Sequence, residues 1–348
     1  MKKSKLALLL IILFILSSVV TYGILKIKDK SSEGDLTLIM PDEEIKDIEE
    51  NKKEIIQSPF SGVEIEKEIL EKRPVAVMFD NHPRARWQAG LSKAEIVYEL
   101  PAEEPYTRYI GIYLINDPEV IGPVRSTRPY FVETIVQYDP LYVRCGGSED
   151  GKEYVRRYGI ADIDGLTSSA FWRSKNKKAP HNLYISMENI RKEQTKLNYS
   201  KNGNYYGYNF NEKDTDIEGQ NGENIIINYN KSNSTKYIYD SGQKVYERYK
   251  DGKLHIDEAD NTTIKAKNII IQEVTSKIID NEGRKKINVV GSGKATYITD
   301  GKAKDITWRK RSANDKTTYY DELGVELTFN PGVTWIQVVP TGTHIEIG

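Results

Sequence analysis

Gly122-Pro123-Val124-Arg125-Ser126-Thr127-Arg128-Pro129-Tyr130-Phe131 decides how the first half of this chain is read. It gathers two guanidinium groups, two hydroxyls and two prolines. Pro129 suits the first helical position, because its φ is preset and its missing N–H would be unpaired there. Arg128 precedes a proline and is biased towards extended backbone, so the helix starts after it. Phe131, Val132, Ile135 and Val136 then form the stripe of a buried helical face, which is expected to run to about Tyr138. This arrangement turns backbone N–H groups and two arginines towards one point. An anion is the natural occupant.

Working outward, short apolar runs flank this stretch. Val75-Ala76-Val77-Met78-Phe79 reads as a buried strand entering the polar loop Asp80-Asn81-His82-Pro83. Residues 94–99, 108–115 and 141–145 are further strands, the last ending in Gly146-Gly147-Ser148. Helices are expected over 151–158 and, capped by Ser186, over 187–197. Strands mixed with helices indicate an α/β layer architecture. Ligands in such folds often sit beyond strand ends. The loops after Phe79 and Cys145 and the segment before Pro129 therefore belong to one expected cleft.

The C-terminal half reads as β-rich. Runs at 225–229, 236–239, 244–249, 254–256, 269–274, 287–290, 295–299 and 306–309 are separated by Ser241-Gly242, Asp251-Gly252 and Asp300-Gly301, which mark hairpins. Asn330-Pro331-Gly332 is expected to turn 325–329 into 334–339. Regular strand spacing suggests a sandwich or barrel-like sheet. The expected order is thus a signal anchor at 1–25, a charged tether at 26–72, an α/β domain at 73–205 and a β-rich domain at 206–348.

The compartment is read from the N-terminus. Lys2, Lys3 and Lys5 precede an apolar run from Leu6 to about Val20, extending weakly to Leu25. Roughly 20 mostly apolar residues suffice to cross a bilayer as a helix. The expectation is an uncleaved single-pass anchor with an extracytoplasmic body; a cleaved signal peptide and a secreted body is the alternative. The 50 basic and 51 acidic residues nearly cancel, so broad nucleic-acid binding has no electrostatic support. Cys145 is the sole cysteine, which leaves no internal disulfide and no lipidated cysteine after the apolar run.

Several motifs resemble those of the bacterial YerB-like surface lipoproteins. They are Arg73 to Asn81 (RPVAVMFDN), Gly122 to Phe131, Gly146-Gly147-Ser148 and Ala179-Pro180-His181-Asn182 in the first half. In the second half they are Gly293 to Tyr297, Asp300-Gly301-Lys302, Thr307 to Lys310 and Asn330 to Pro340. The resemblance covers nearly everything from Arg73 to Pro340. It implies two domains of unknown function and an envelope location, but no reaction. The lipidated cysteine of that family is missing here. Glu104-Pro105 stands before Tyr106-Thr107-Arg108 in place of a glycine pair.

The expected ligand-binding residues are Asp80, Asn81, Arg108, Arg125, Ser126, Arg128, Ser148, His181 and Asn182. Asp80, His181 and Ser126 are the catalytic candidates. The arginines can hold a phosphate or carboxylate, or can pair internally with Asp80, Glu99 or Glu103. No metal or cofactor is expected. His255 and His344 read as structural. Trp308 and Trp335 fit core packing better than a glycan-binding face. Three functions follow: binding of an anionic envelope component such as a cell-wall polymer or its precursor, hydrolysis or group transfer in the same cleft, or a scaffold for another membrane protein.

Overall fold

A computed structural model of the chain describes residues 53–281 and 283–348. The apolar N-terminal run, expected as a membrane anchor, lies outside the described residues, as does most of the expected tether. Among the described residues no helix is long and apolar enough to cross a membrane. The expected tether ran to residue 72, but its last part is ordered. Ile55–Gln57 pairs with Glu64–Glu66, and a 3-10 turn covers Lys67–Glu71. Its anchor is Phe60, fully buried against the rings of Tyr138 and Tyr205 at 5.4 and 5.2 Å. Ile65 is buried as well, and Ile69 and Leu70 pack against the same core, so a few apolar residues in a charged segment dock it.

The chain has a two-domain organisation with a β-rich C-terminal region and few helices. Both regions contribute to one mixed sheet of eleven strands, ten in a continuous order and one, Thr318–Tyr320, branching from Lys302–Lys310. Its C-terminal part runs Gln220–Asn221, Lys302–Lys310, Gly291–Thr299, Asn268–Val274 and Thr334–Pro340. It continues into Ile96–Pro101, Thr107–Tyr113, Val75–Asp80, Leu141–Arg144 and Ala161–Asp164. The seam is the parallel pairing of Thr334–Pro340 with Ile96–Pro101, in register Thr334↔Ile96 to Gln337↔Glu99. The expected sandwich or barrel is therefore divided between this shared sheet and a second sheet of six strands, among them Asn224–Asn230, Asn233–Asp240 and Val245–Lys250.

Strand alternation builds two cores, one on each face of the shared sheet. Ala76 and Met78 join Phe131, Val132 and Ile135 of helix α1 (Pro129–Ile135) on one face. Val75, Val77 and Phe79 join Ile225, Ile227 and Tyr237 of the second sheet on the other. Helix α2 (Glu149–Arg157) adds Val155 to the first core, and helix α3 (Met187–Lys196) adds Met187 and Ile190 to the second. Trp308 and Trp335 are buried, so neither offers a glycan-binding face. The hairpin expected around Asn330-Pro331-Gly332 does not form. Thr328–Phe329 pairs with Asn209–Phe210, whereas Thr334–Pro340 enters the shared sheet. The Asn330 side chain is the reason: it bonds to the backbone N–H and carbonyl of Thr215 and to Asp300, each at 2.9 Å.

Candidate functional site

Three strands end at the same edge of the shared sheet, at Asp80, Pro101 and Arg144, where the antiparallel strand Thr107–Tyr113 begins. Register places Arg108 directly across from Asp80. The segment before α1 is fixed between two of these strand ends. Arg125 N–H donates to the Met78 carbonyl at 2.8 Å, and the Arg125 carbonyl accepts from Cys145 N–H at 3.0 Å. Thr127 then bridges to Gly147. As expected, Pro129 opens α1 and Arg128 is extended, at φ −140° and ψ 162°. With seven residues α1 is too short for its N-terminus to carry the site, so the charge comes from side chains.

Arg108, Arg125, Ser126, Arg128 and Ser148 line one open cavity of about 450 Å³, together with Glu103, Gly147 and Arg284. Glu103 is shared between two guanidiniums. Arg108 reaches it at 2.8 Å, and Arg128 also bonds to it. Burial pushes the Glu103 carboxyl up, but the two arginines outweigh burial and hold it below its usual range. Arg108 also donates to the Ser126 carbonyl at 2.7 Å, and Arg128 to the Thr127 carbonyl at 2.6 Å. Arg125 keeps its side chain 29% exposed and lies 3.4 Å from Asp80. Thus Arg108, Arg125 and Arg128 share two carboxylates, Glu103 and Asp80.

Asp80 is itself shared. Its Oδ2 is 2.7 Å from Nδ1 of His181, and its Oδ1 accepts the backbone N–H of His82 at 2.9 Å. Nε2 of His181 has no hydrogen-bond partner among the described residues. The His82 ring stacks on His181 at 4.2 Å. Burial and the neighbouring His181 lower the pKa of His82. An imidazole oriented by a carboxylate through one nitrogen, with the other free, is a general acid/base geometry.

Other expected residues have local duties. Ser148 faces the cavity, but its Oγ accepts Gly151 N–H at 3.1 Å and caps α2. Asn81 is buried between Thr107 Oγ1 and Arg86. Asn182 bonds to Arg173 and to the carbonyls of Ser174 and Lys177, which shapes the basic loop. Burial raises the thiol pKa of Cys145, so it is a poor nucleophile.

Sequence reading missed a charged cluster beneath the site. Glu99 is fully buried and pairs with Arg248 at 2.5 Å and Lys250 at 3.1 Å, both also fully buried. Thr107 Oγ1 donates to Glu99 at 2.6 Å and accepts from Asn81 at 2.7 Å. Gln88 links His255 of the same cluster to the Asp80 carbonyl. The inward positions of Val245–Lys250 are Tyr246, Arg248 and Lys250. Two cations on one face of an amphipathic strand were the available signal.

Comparison with known proteins agrees with this architecture. Residues 60–200 match the family described as "Protein of unknown function (DUF3048) N-terminal domain", and residues 225–336 match its C-terminal domain. YerB of Bacillus subtilis (strain 168), named as a candidate lipoprotein, is 35% identical over 291 residues, spanning 82% of this chain and 86% of the relative. The crystal structure of YerB from Bacillus subtilis matches with a TM-score of 0.76 at 33% identity, covering 84% of this chain and 99% of that one.

Proposed function

This chain belongs to the YerB family of paired DUF3048 domains, and we propose that it binds an anionic component of the cell envelope in the arginine cavity, outside the membrane. The location is supported by the lipoprotein name of the relative and by the apolar N-terminal run. One observation carries the binding: three guanidiniums share two carboxylates, and one of those carboxylates also serves His181. The surplus positive charge is open to solvent at Arg125, and bidentate guanidinium contacts suit phosphate or carboxylate. The incomplete pairing argues against a purely structural role for these arginines.

Arg125→Ala tests the binding. The Arg125 backbone, rather than its side chain, bridges the two strand ends, so the variant should fold normally. Titration with phosphate and with cell-wall anions should show binding to the native chain and its loss in the variant. Equal binding by both would refute the proposal.

The Asp80–His181 contact favours a second reading, hydrolysis or transfer at the bound anionic group. His181 would act as base, and the arginines would stabilise developing negative charge. In that case His181→Asn should abolish turnover of envelope phosphodiesters while leaving their binding intact. Undiminished turnover in that variant would exclude His181 as the base.

A further inference from the structure

The cavity continues into a longer groove. A second hollow of about 670 Å³ shares Arg128, Ser148 and Arg284 with it. One wall is helical, with Glu133 on α1 and Asp150, Glu153 and Tyr154 on α2. The facing wall comes from the C-terminal region. It is the hairpin of Ser276–Ile278 and Lys285–Ile287, held near the cavity by Lys285, whose Nζ is 2.9 Å from Glu104.

The charges of the two hollows differ. In the groove, Glu149 pairs with Lys152, Lys285 with Glu104 and Arg284 with Asp280. Glu133, Asp150 and Glu153 make no direct ion pair among the described residues, although Lys310, Lys286 and Arg157 act on Glu133 from further away, and Lys286 is the only lining cation without a direct pair. The groove is therefore net acidic, next to a cavity that is net basic. A chain carrying an anion on every unit would be attracted at one end and repelled along its length. A neutral, polyhydroxylated chain avoids this conflict. Its hydroxyls can donate to the three carboxylates, and Tyr154, which lines the groove half-buried with Arg157 and Tyr158 against its ring, adds an apolar contact for a sugar.

From this we infer that the ligand is a sugar chain with a single anionic group at one end. The phosphate or carboxylate sits among Arg108, Arg125 and Arg128, and the uncharged sugars run along the groove between α2 and the hairpin. The inference rests on the anion-binding reading of the cavity and adds the class and direction of the ligand.

Calorimetric titration of the full chain tests it, with inorganic phosphate, chitotetraose bearing a reducing-end phosphate, and unmodified chitotetraose. The phosphorylated tetrasaccharide should bind about tenfold or more tighter than phosphate, a gain of at least one good hydrogen bond. The isosteric Glu133→Gln and the apolar Tyr154→Leu should remove most of that gain while leaving phosphate affinity unchanged. Arg125→Ala should weaken both charged probes. Equal affinity for phosphate and phosphorylated tetrasaccharide would overturn the groove assignment while the anion site stands. So would tetrasaccharide binding that ignores the phosphate and Arg125→Ala. Failure of all three probes to bind would overturn the anion site itself.

Discussion

Glu99→Gln should expose how much of the fold depends on one carboxylate. Burial alone would raise the Glu99 pKa, but Lys250 and Arg248 outweigh it and hold the group at about 2, against 4.5 when unperturbed. At 1.36 kcal/mol per pKa unit the charged form gains about 3 kcal/mol in the folded state. Removing one partner from a buried ion pair costs about 3–5 kcal/mol, because the other charge stays uncompensated. The two routes agree in size. The two cations differ from each other: burial lowers Lys250 to about 8 despite Glu99, whereas at Arg248 burial is outweighed by Tyr109, Glu99 and Tyr237, which raise it. This fits the stoichiometry, since one carboxylate serves two cations and each cation faces the other. In the variant both cations remain buried with no counter-charge. Urea unfolding at pH 7 should show stability reduced by about 3–5 kcal/mol with an unchanged slope against denaturant. The pH dependence supplies a second check. A depressed carboxyl stabilises the fold above its unfolded pKa and loses that contribution as pH falls through its folded pKa. The native chain should therefore approach the variant between pH 4.5 and about 2. Replacing Lys250 by Met in the variant should restore part of the loss. A cost below about 1 kcal/mol at pH 7, the scale of an exposed pair, would refute the account.

Other outcomes follow from single contacts. Glu103→Gln releases Arg108 and Arg128 from their shared carboxylate, so phosphate affinity should rise about tenfold, an increment of ~1.4 kcal/mol; a fall in the same titration would mean that Glu103 orients the arginines for the ligand. Ser148→Ala removes the cap of α2 and should cost about 1 kcal/mol in thermal or urea unfolding, with anion binding retained. Burial lowers Lys310 to about 7 from 10.5, so the unfolded chain binds more protons between those values and stability should rise with pH across that window. Lys310→Met should flatten that rise in denaturation curves taken from pH 7 to 10.5. Phosphate binding should weaken steadily with added chloride, as expected for a partly exposed cationic site, and calorimetry in graded salt would show it.

The legible parts of this protein are those fixed by neighbouring residues. Pro129 opens α1 and Arg128 is extended because both preferences are local. The strand at Val75–Asp80 is an apolar run with no competing structure. The candidate residues were also readable one at a time, because strand ends followed by polar loops are few in the first half. Long-range partners were not readable. Nothing in Val75–Asp80 or Ile96–Pro101 announces that Thr334–Pro340 will lie beside the second of them. Asn330-Pro331-Gly332 carries ordinary turn chemistry, yet Asn330 is committed to Thr215, and the hairpin is lost. Hydrophobic patterning predicts the face of a strand only when its inward residues are apolar. At Tyr246, Arg248 and Lys250 the inward face is charged, and its counter-charge, Glu99, lies on a strand about 150 residues away. The same holds for the wall of the groove. Asp280, Asn281 and Gly283 are turn residues between two short runs, so the hairpin could have been found. That it faces α2 across a groove beside the arginine cavity depends on the continuous sheet joining the two regions. The physical unit of this site is therefore the seam between the domains: a family domain isolated at 60–200 would keep the arginines but lose Arg284, the hairpin wall and both partners of Glu99.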